Sequence, residues 1–312
     1  MGLAAIDSVR RGMRNARANR ELIVVRWLAS LVLVGLLIAG LVPLFLVLGF
    51  TAADLPSRPE GWEEMGSEIA NRLSEATGGI LAAGLAGACI WTFAFVAFCF
   101  VQAGTYGVLF AGDRQAPAGL PPERSWFRTY SRDDFSGWGG RLMWRFFWFT
   151  NFYLCLLLIP ALAFVLLVAG TAWASGQWGV PAAIGLGCGG ALPLVFLLVS
   201  LGLWFSLAQA DLPREGAGIL SSSRRGLRVL SRRLGGVLLI VLLTVMASAA
   251  LAIVIAPFSI LVDVTLRGSL ALHLAARALL FVGQSLASSA LSVVLAASLI
   301  ALVRSQSEGA AA

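Results

Sequence analysis

The sequence predicts an all-α, polytopic membrane protein. Six transmembrane helices form three hairpins, each preceded by a basic interfacial helix. Hydrophobic residues make up 59% of the chain and charged residues 12%, and the mean hydropathy is +0.86, whereas a soluble domain carries about a quarter of charged residues. All 23 Arg and all 16 acidic residues fall outside six long apolar runs. A basic motif that recurs before the first and fifth runs indicates the hairpin arrangement.

Each apolar run exceeds the ~20 residues that a helix needs to cross ~30 Å of hydrocarbon. The runs are continuous rather than alternating, which favours helices over a β-barrel. We therefore predict a single membrane domain over residues 1–312. The spans cover 27–50, 80–112, 146–174, 180–210, 234–262 and 278–303.

The distribution of arginine predicts the orientation of the chain. From the N-terminus, the segments outside the runs hold 6, 2, 6, 0, 6, 2 and 1 Arg. Arginine-rich segments stay on the cytoplasmic side, so we expect both termini in the cytoplasm. The acidic segment 51–79 would then be an exported loop, either a solvated cap or a docking surface.

The stretch SVRRGMR at 8–14 recurs as SSRRGLR at 222–228, and a looser version lies at 139–145. The basic interfacial segments are 1–26, 123–145 and 214–233. In the first, Leu3, Ile6, Val9 and Met13 follow helical spacing, with arginines on another side, which is typical of a helix lying in the interface. These arginines either only set topology or bind anionic lipid or an acidic partner. The candidate contacts are Arg10, Arg11, Arg14, Arg224, Arg225, Arg228 and Arg232.

Small and polar residues within the runs indicate where helices approach one another. Small residues allow close backbone packing. In the second run both Gly84 with Ala88 and Ala83 with Gly87 are small pairs four residues apart, and the candidate packing residues are Gly84, Ala88, Gly185, Gly189, Ser285 and Ser289. Intramembrane amides either hydrogen-bond between helices or line a polar groove, and the candidates for such a groove are Asn151, Gln209 and Gln284. Asp211 and Asp263 lie at span ends, where we expect water to reach them.

Residues that carry chemistry are few. The chain has one histidine, His273, and its four cysteines lie within the runs without metal-ligand spacing. Glycine-rich phosphate loops and zinc-protease motifs are absent from the sequence. We therefore assign no catalytic residue, metal ligand or cofactor and predict that the protein is not an enzyme. An ion-coupled carrier usually needs an ionisable residue inside its spans, which also weighs against that class.

The stretch DLPREGAG at 211–218, followed by ILSSSRRGLR at 219–228 and a span, resembles a group of bacterial six-span integral membrane proteins. The helix around Arg10, Arg11 and Gly12 is similar. The group includes the membrane domain attached to some glycerophosphodiester phosphodiesterases and several families of uncharacterised function. The soluble catalytic domain of that phosphodiesterase has no counterpart in this sequence, so the resemblance implies a multi-pass protein of the bacterial cytoplasmic (inner) membrane and not that activity.

These observations together favour a non-enzymatic scaffold or accessory subunit of a bacterial membrane complex, with organisation of anionic lipid as one form of that role. The expected partners are membrane lipids, anionic ones above all, and other membrane subunits or a second copy, with no nucleic acid. The alternative is a transporter or lipid-translocating protein for an apolar or amphipathic substrate.

Overall fold

The computed structural model describes residues 2–47, 77–116, 124–215, 218–265 and 269–308. Over these residues the secondary structure is helical, which confirms the predicted all-α class. The acidic segment 51–79 lies almost wholly outside the described residues. The α-helices are α1 Gly2–Ala18, α2 Glu21–Ala39, α3 Val42–Val47, α4 Thr77–Gln115, α5 Arg132–Trp178, α6 Val180–Asp211, α7 Ile219–Thr265 and α8 Leu270–Glu308, and a 3-10 helix covers Arg124–Phe127.

Six helices are long and apolar enough to cross a membrane, as predicted, so the chain is a multi-pass membrane protein. The helices extend beyond the apolar runs, because α5 and α7 already begin in the basic segments. At the start of α5, the Ser131 hydroxyl accepts a hydrogen bond from Asp134 N at 3.0 Å. Asp133 and Asp134 lie in the positive first turn. This N-cap stabilises a helix start 14 residues before the apolar run that begins at Phe146.

The helix α7 contains a kink between its basic and apolar parts. Arg233 has φ −130° and ψ 32°, which is not helical. Gly235 and Gly236 lie two and three residues further on. Glycine has no Cβ, so its backbone adopts non-helical angles at low cost, and kinks are frequent at glycine. Because of the kink, the helix axis of the basic part, residues 219–232, differs in direction from that of the apolar part.

The chain divides into two compact units, residues 1–26 with 102–312, and residues 27–101. In the larger unit α8 is the central helix. In its most apolar 18-residue stretch 56% of the residues are buried, against 6–17% in the corresponding stretches of the other five spans. It contacts α1, α6 and α7, while α6 also contacts α5. The buried stretch of α8 runs from Val293 to Leu302.

The first helix packs into this unit through a face of small residues. A Cβ added at Gly12 would lie 2.2 Å from Ser298 Oγ, so α1 and α8 approach closely because position 12 is glycine. The apolar side that we predicted to face the acyl boundary is left open, with Ile6 and Met13 both exposed. The buried face consists of Ala5, Ser8, Gly12, Asn15, Ala16 and Asn19.

In the smaller unit α2 ends at a break next to α4. Leu41 N donates to Ile38 O at 2.9 Å, a tighter turn than the α-helical one, so Leu37 O loses its usual helical donor. Trp91 Nε1 replaces that donor at 3.0 Å. A Cβ added at Gly87 would lie 2.5 Å from Gly40 O. The break and the close approach of the two helices therefore occur at one place, and they depend on glycine.

Substitution of Gly87 tests this approach, because Gly84 on the same helix offers a matched control. We expect Gly87→Ala to lower the free energy of unfolding by ~1–3 kcal/mol, the usual cost of overpacking. A Cβ at Gly84 meets nothing within 4 Å, so Gly84→Ala should leave stability unchanged or raise it slightly. The measurement is the thermal unfolding midpoint in detergent. Equal midpoints for the two variants would contradict the contact.

Candidate functional site

The basic part of α7 presents a row of arginines on its outer side. Arg224, Arg228 and Arg232 are exposed and lie four residues apart, one helical turn after another. On the opposite side Gly226 is buried, and a Cβ there would lie 3.0 Å from Ala208 N of α6. Because this side is packed so closely, the helix cannot rotate, and the arginine row faces outward.

Arg225 lies between these arginines in sequence but has a different role. Its Nη1 forms an ion pair with Asp211 Oδ1 at 3.2 Å, and the Asp211 side chain is only 3% exposed. The prediction that water reaches Asp211 is therefore wrong: the neighbouring helices bury the carboxylate at the end of α6, and Arg225 compensates its charge. Arg225 is held inside the protein and is a poor candidate for a lipid contact.

The arginines of α1 divide in the same way. Arg10 and Arg14 are exposed. Arg11 Nε lies 2.5 Å from Asp113 Oδ1, and its Nη2 donates to the carbonyls of Asp113 and Ala116, both at 2.9 Å. Arg11 therefore neutralises a buried carboxylate and satisfies carbonyls at the C-terminal end of α4.

A second arginine, from the end of α8, reaches the same carboxylate. Arg304 Nη1 lies 3.3 Å from Asp113 Oδ2 and also donates to the Asp113 carbonyl. The Asp113 side chain is 1% exposed. One buried acidic residue thus joins α1, α4 and α8.

Two asparagines extend this junction: Asn15 of α1, and Asn19, which directly follows that helix. The sequence analysis did not single out either of them. Asn19 is fully buried; its Nδ2 donates to Phe127 O at 2.6 Å, and its Oδ1 accepts from Thr129 N at 3.0 Å and Tyr130 N at 2.9 Å. Asn15 Nδ2 donates to Leu109 O of α4 at 2.8 Å. The signal in the sequence was the spacing of both asparagines with Ser8 and Gly12 on one side of the helix, away from the exposed arginines.

The outer arginine row borders a groove between α5, α6 and α7, which we call the apolar groove. Its volume is about 370 Å³. The indole of Trp204 forms part of the wall, and its Nε1 donates to Ser223 O at 2.9 Å, which fixes the ring. Among the described residues that line the groove, Arg224 is the only charged one. The groove is lined by Phe152, Leu156, Leu197, Ser200, Leu201, Trp204, Leu220, Ser223, Arg224, Leu227 and Leu230.

A second cavity, of about 430 Å³, lies among the ends of α4, α6 and α8 and is polar. Arg114, Arg214 and Arg304 line it together with Asp211 and Glu215. Most of these charges are already compensated within the protein: Arg114 Nη1 pairs with Glu215 Oε1 at 3.0 Å, and Arg304 and Asp211 have the partners described above.

The predicted polar groove residues are not brought together by any cavity described here. Asn151 is half-buried and donates to Phe147 O of its own helix at 2.9 Å. Gln209 is buried near the end of α6, and Gln284 is exposed on α8. None of the three lines the apolar groove or the polar cavity.

The small residues at the helix contacts are mostly neighbours of the predicted ones. Gly84 and Ala88 are exposed, whereas Ala83 and Gly87 are buried. On α6, a Cβ at Gly185 or Gly189 meets nothing within 4 Å, whereas one at Gly190 would lie 2.3 Å from Leu167 of α5. On α8, Ser289 is buried and Ser285 half-buried. A shift of one residue turns a helical position by about 100°. The packing side of α6 therefore differs from the predicted one, and on α4 the pair Ala83 and Gly87 packs instead of Gly84 and Ala88.

Among the described residues, no group of three or more His, Cys, Asp or Glu could hold a metal ion. His273 Nε2 lies 3.7 Å from Asp263 Oδ1, and Arg277 also pairs with that carboxylate. This cluster of three side chains joins the end of α7 to the start of α8.

A comparison of the chain with protein family models, with curated proteins and with solved structures finds no match. The resemblance to the bacterial six-span group therefore stays a prediction based on the basic motifs.

The junction at Asp113 can be tested against the exposed pair Arg114–Glu215. We expect Asp113→Asn to lower the free energy of unfolding by ~2–4 kcal/mol, because it leaves Arg11 and Arg304 partly buried without a counter-charge. Glu215→Gln removes an acidic group from a pair whose side chains are 64% and 80% exposed, and its effect should not exceed ~1 kcal/mol. Thermal unfolding in detergent measures both. Similar losses would argue against a special role for Asp113.

Proposed function

We propose that the protein is a non-enzymatic scaffold or accessory subunit of a bacterial membrane complex that holds anionic lipid at its basic helices. The observation that carries this proposal is the outward row of Arg224, Arg228 and Arg232 on a helix whose opposite side is packed. Near an anionic membrane surface each such arginine contributes ~1 kcal/mol before screening. A fixed row of three therefore favours anionic over neutral lipid.

The two classes of arginine support this assignment. Arginines that only set the membrane topology need to lie on one side of the membrane and need not be exposed. Arg11 and Arg225 fit that role, because each forms an ion pair with a buried carboxylate of the protein. The outer row forms no ion pair with the residues that the structure describes, so its charge remains available to a ligand.

The Asp113 junction supports the expectation that both termini lie on the same side of the membrane. Arg11 of α1 and Arg304 at the end of α8 both contact Asp113 at the end of α4. A chain whose two termini lay on opposite sides could not form this junction. The alternative role in transport gains no support from Asn151, Gln209 and Gln284, which do not share a described cavity.

The decisive variant is Arg224→Gln/Arg228→Gln/Arg232→Gln in the full chain. We expect the preference for phosphatidylglycerol over phosphatidylcholine, counted as retained lipids by native mass spectrometry, to fall about tenfold or more, since each lost charge removes up to ~1 kcal/mol. The wild-type preference should also weaken with salt, because exposed charges are screened.

The matched control replaces the same three arginines by lysine. This variant keeps the charge, so it should keep most of the preference. Arg225→Gln should lower the thermal midpoint, because it leaves Asp211 buried without its counter-ion, while the lipid preference of the folded fraction persists. An unchanged preference in a folded triple glutamine variant would refute the proposed function.

A further inference from the structure

The apolar groove combines two features that a phospholipid combines. Its walls are aromatic and aliphatic side chains of the spans α5 and α6 and of the basic part of α7. In the part of its lining that the structure describes, the one charged residue is Arg224, the first member of the outer arginine row. Its volume of about 370 Å³ falls within the ~300–1,000 Å³ that small-ligand sites usually have.

We propose that this groove binds one acyl chain of an anionic glycerophospholipid whose phosphate is held by Arg224. This inference rests on the proposed function and deepens it. It replaces a general attraction of anionic lipid to the arginine row by one binding site, in which the groove contacts an acyl chain and Arg224 contacts the phosphate. Phosphate accepts charge-assisted hydrogen bonds from guanidinium in a bidentate geometry, and a chain in the groove removes apolar surface from contact with headgroups and water.

The site is preformed. Trp204 is held by its hydrogen bond to Ser223 O and by ring contacts with Phe149 and Phe152, whose centroids lie 5.9 and 6.3 Å from it. Arg224 is placed by the buried side of α7, including Gly226 against Ala208. A ligand therefore needs to order few protein groups, which improves affinity.

The charge pattern selects a lipid over other occupants. Leu220 and Leu227 on α7 are both largely exposed, although they border the groove. The described lining offers a single cation and no acidic side chain, which complements one phosphate at the end of an apolar chain. A second copy that docked here through the same surface would place its own arginine row next to Arg224. The like charges would then repel each other.

The experiment uses the full-length protein in mild detergent, titrated with phosphatidylglycerol, and native mass spectrometry gives the apparent Kd of the first bound lipid. Two single-charge variants form one pair: Arg224→Gln in the groove and Arg232→Gln on the same row outside it. Two neighbouring residues of α6 form the other: Ser200→Phe fills the groove, whereas Val199→Phe adds the same ring at an exposed position that does not line it.

We expect Arg224→Gln and Ser200→Phe each to weaken the first Kd about tenfold, which corresponds to about 1.4 kcal/mol. Arg232→Gln and Val199→Phe should change it less than about twofold. The loss in Ser200→Phe, which retains every arginine, separates occupation of the groove from attraction by the row. If Ser200→Phe fails to fold, Leu227→Gln makes the groove polar at an exposed position and should give the same loss.

Equal effects of Arg224→Gln and Arg232→Gln, with none from filling the groove, would overturn the site and leave the general role of the row intact. Absence of any phosphatidylglycerol preference in the wild type would overturn the proposed function itself. A change from dimer to monomer in Ser200→Phe, without a change in lipid affinity, would assign the groove to a second copy and also overturn the proposal.

Discussion

In the larger unit, polar backbone groups are buried where α4 ends, and each of them needs a hydrogen-bond partner. The packing of the first helix depends on this requirement. The carbonyls of Asp113 and Ala116 and the amide groups of Thr129 and Tyr130 would otherwise lack partners, and each unpaired buried group costs ~1–3 kcal/mol. The missing donors and acceptors come from Arg11 of α1 and from Asn19, which directly follows that helix. The first helix is therefore a structural part of the bundle and not only a membrane-surface anchor.

This requirement decides which arginines remain available. Arg11 is used by Asp113 and Arg225 by Asp211, because a carboxylate buried without a cation would cost several kcal/mol. In the repeated motif the second arginine of each pair is therefore structural, and its predecessor, Arg10 or Arg224, is exposed. In both copies of the motif, the second arginine pairs with a buried acidic residue from the end of another span.

Hydropathy and charge counting predicted the span number and the all-α class, because a continuous apolar run in a membrane has few alternatives to a helix. They could not predict the buried Asp113 or Asp211, since the partner of Asp113 on α1 lies 102 residues away and hydropathy treats any charge as solvated. The packing side of α6 was missed by one residue, as with Gly189 and Gly190, and on α4 the sequence did not distinguish the pair Gly84 and Ala88 from the pair Ala83 and Gly87. Small residues surround both positions, so only the tertiary contacts distinguish them.

The basic part of α7 is fixed at both ends, so its arginine row has a defined position on the protein. Near its start Arg225 is tied to Asp211, and at the kink Arg233 Nη1 donates to Ser305 Oγ of α8 at 3.0 Å. Between these two points Gly226 packs on α6. A helix held in this way loses little conformational entropy when it binds a ligand. The kink at Arg233 therefore allows the span to follow the bundle while the preceding turns keep Arg224 at the rim of the apolar groove.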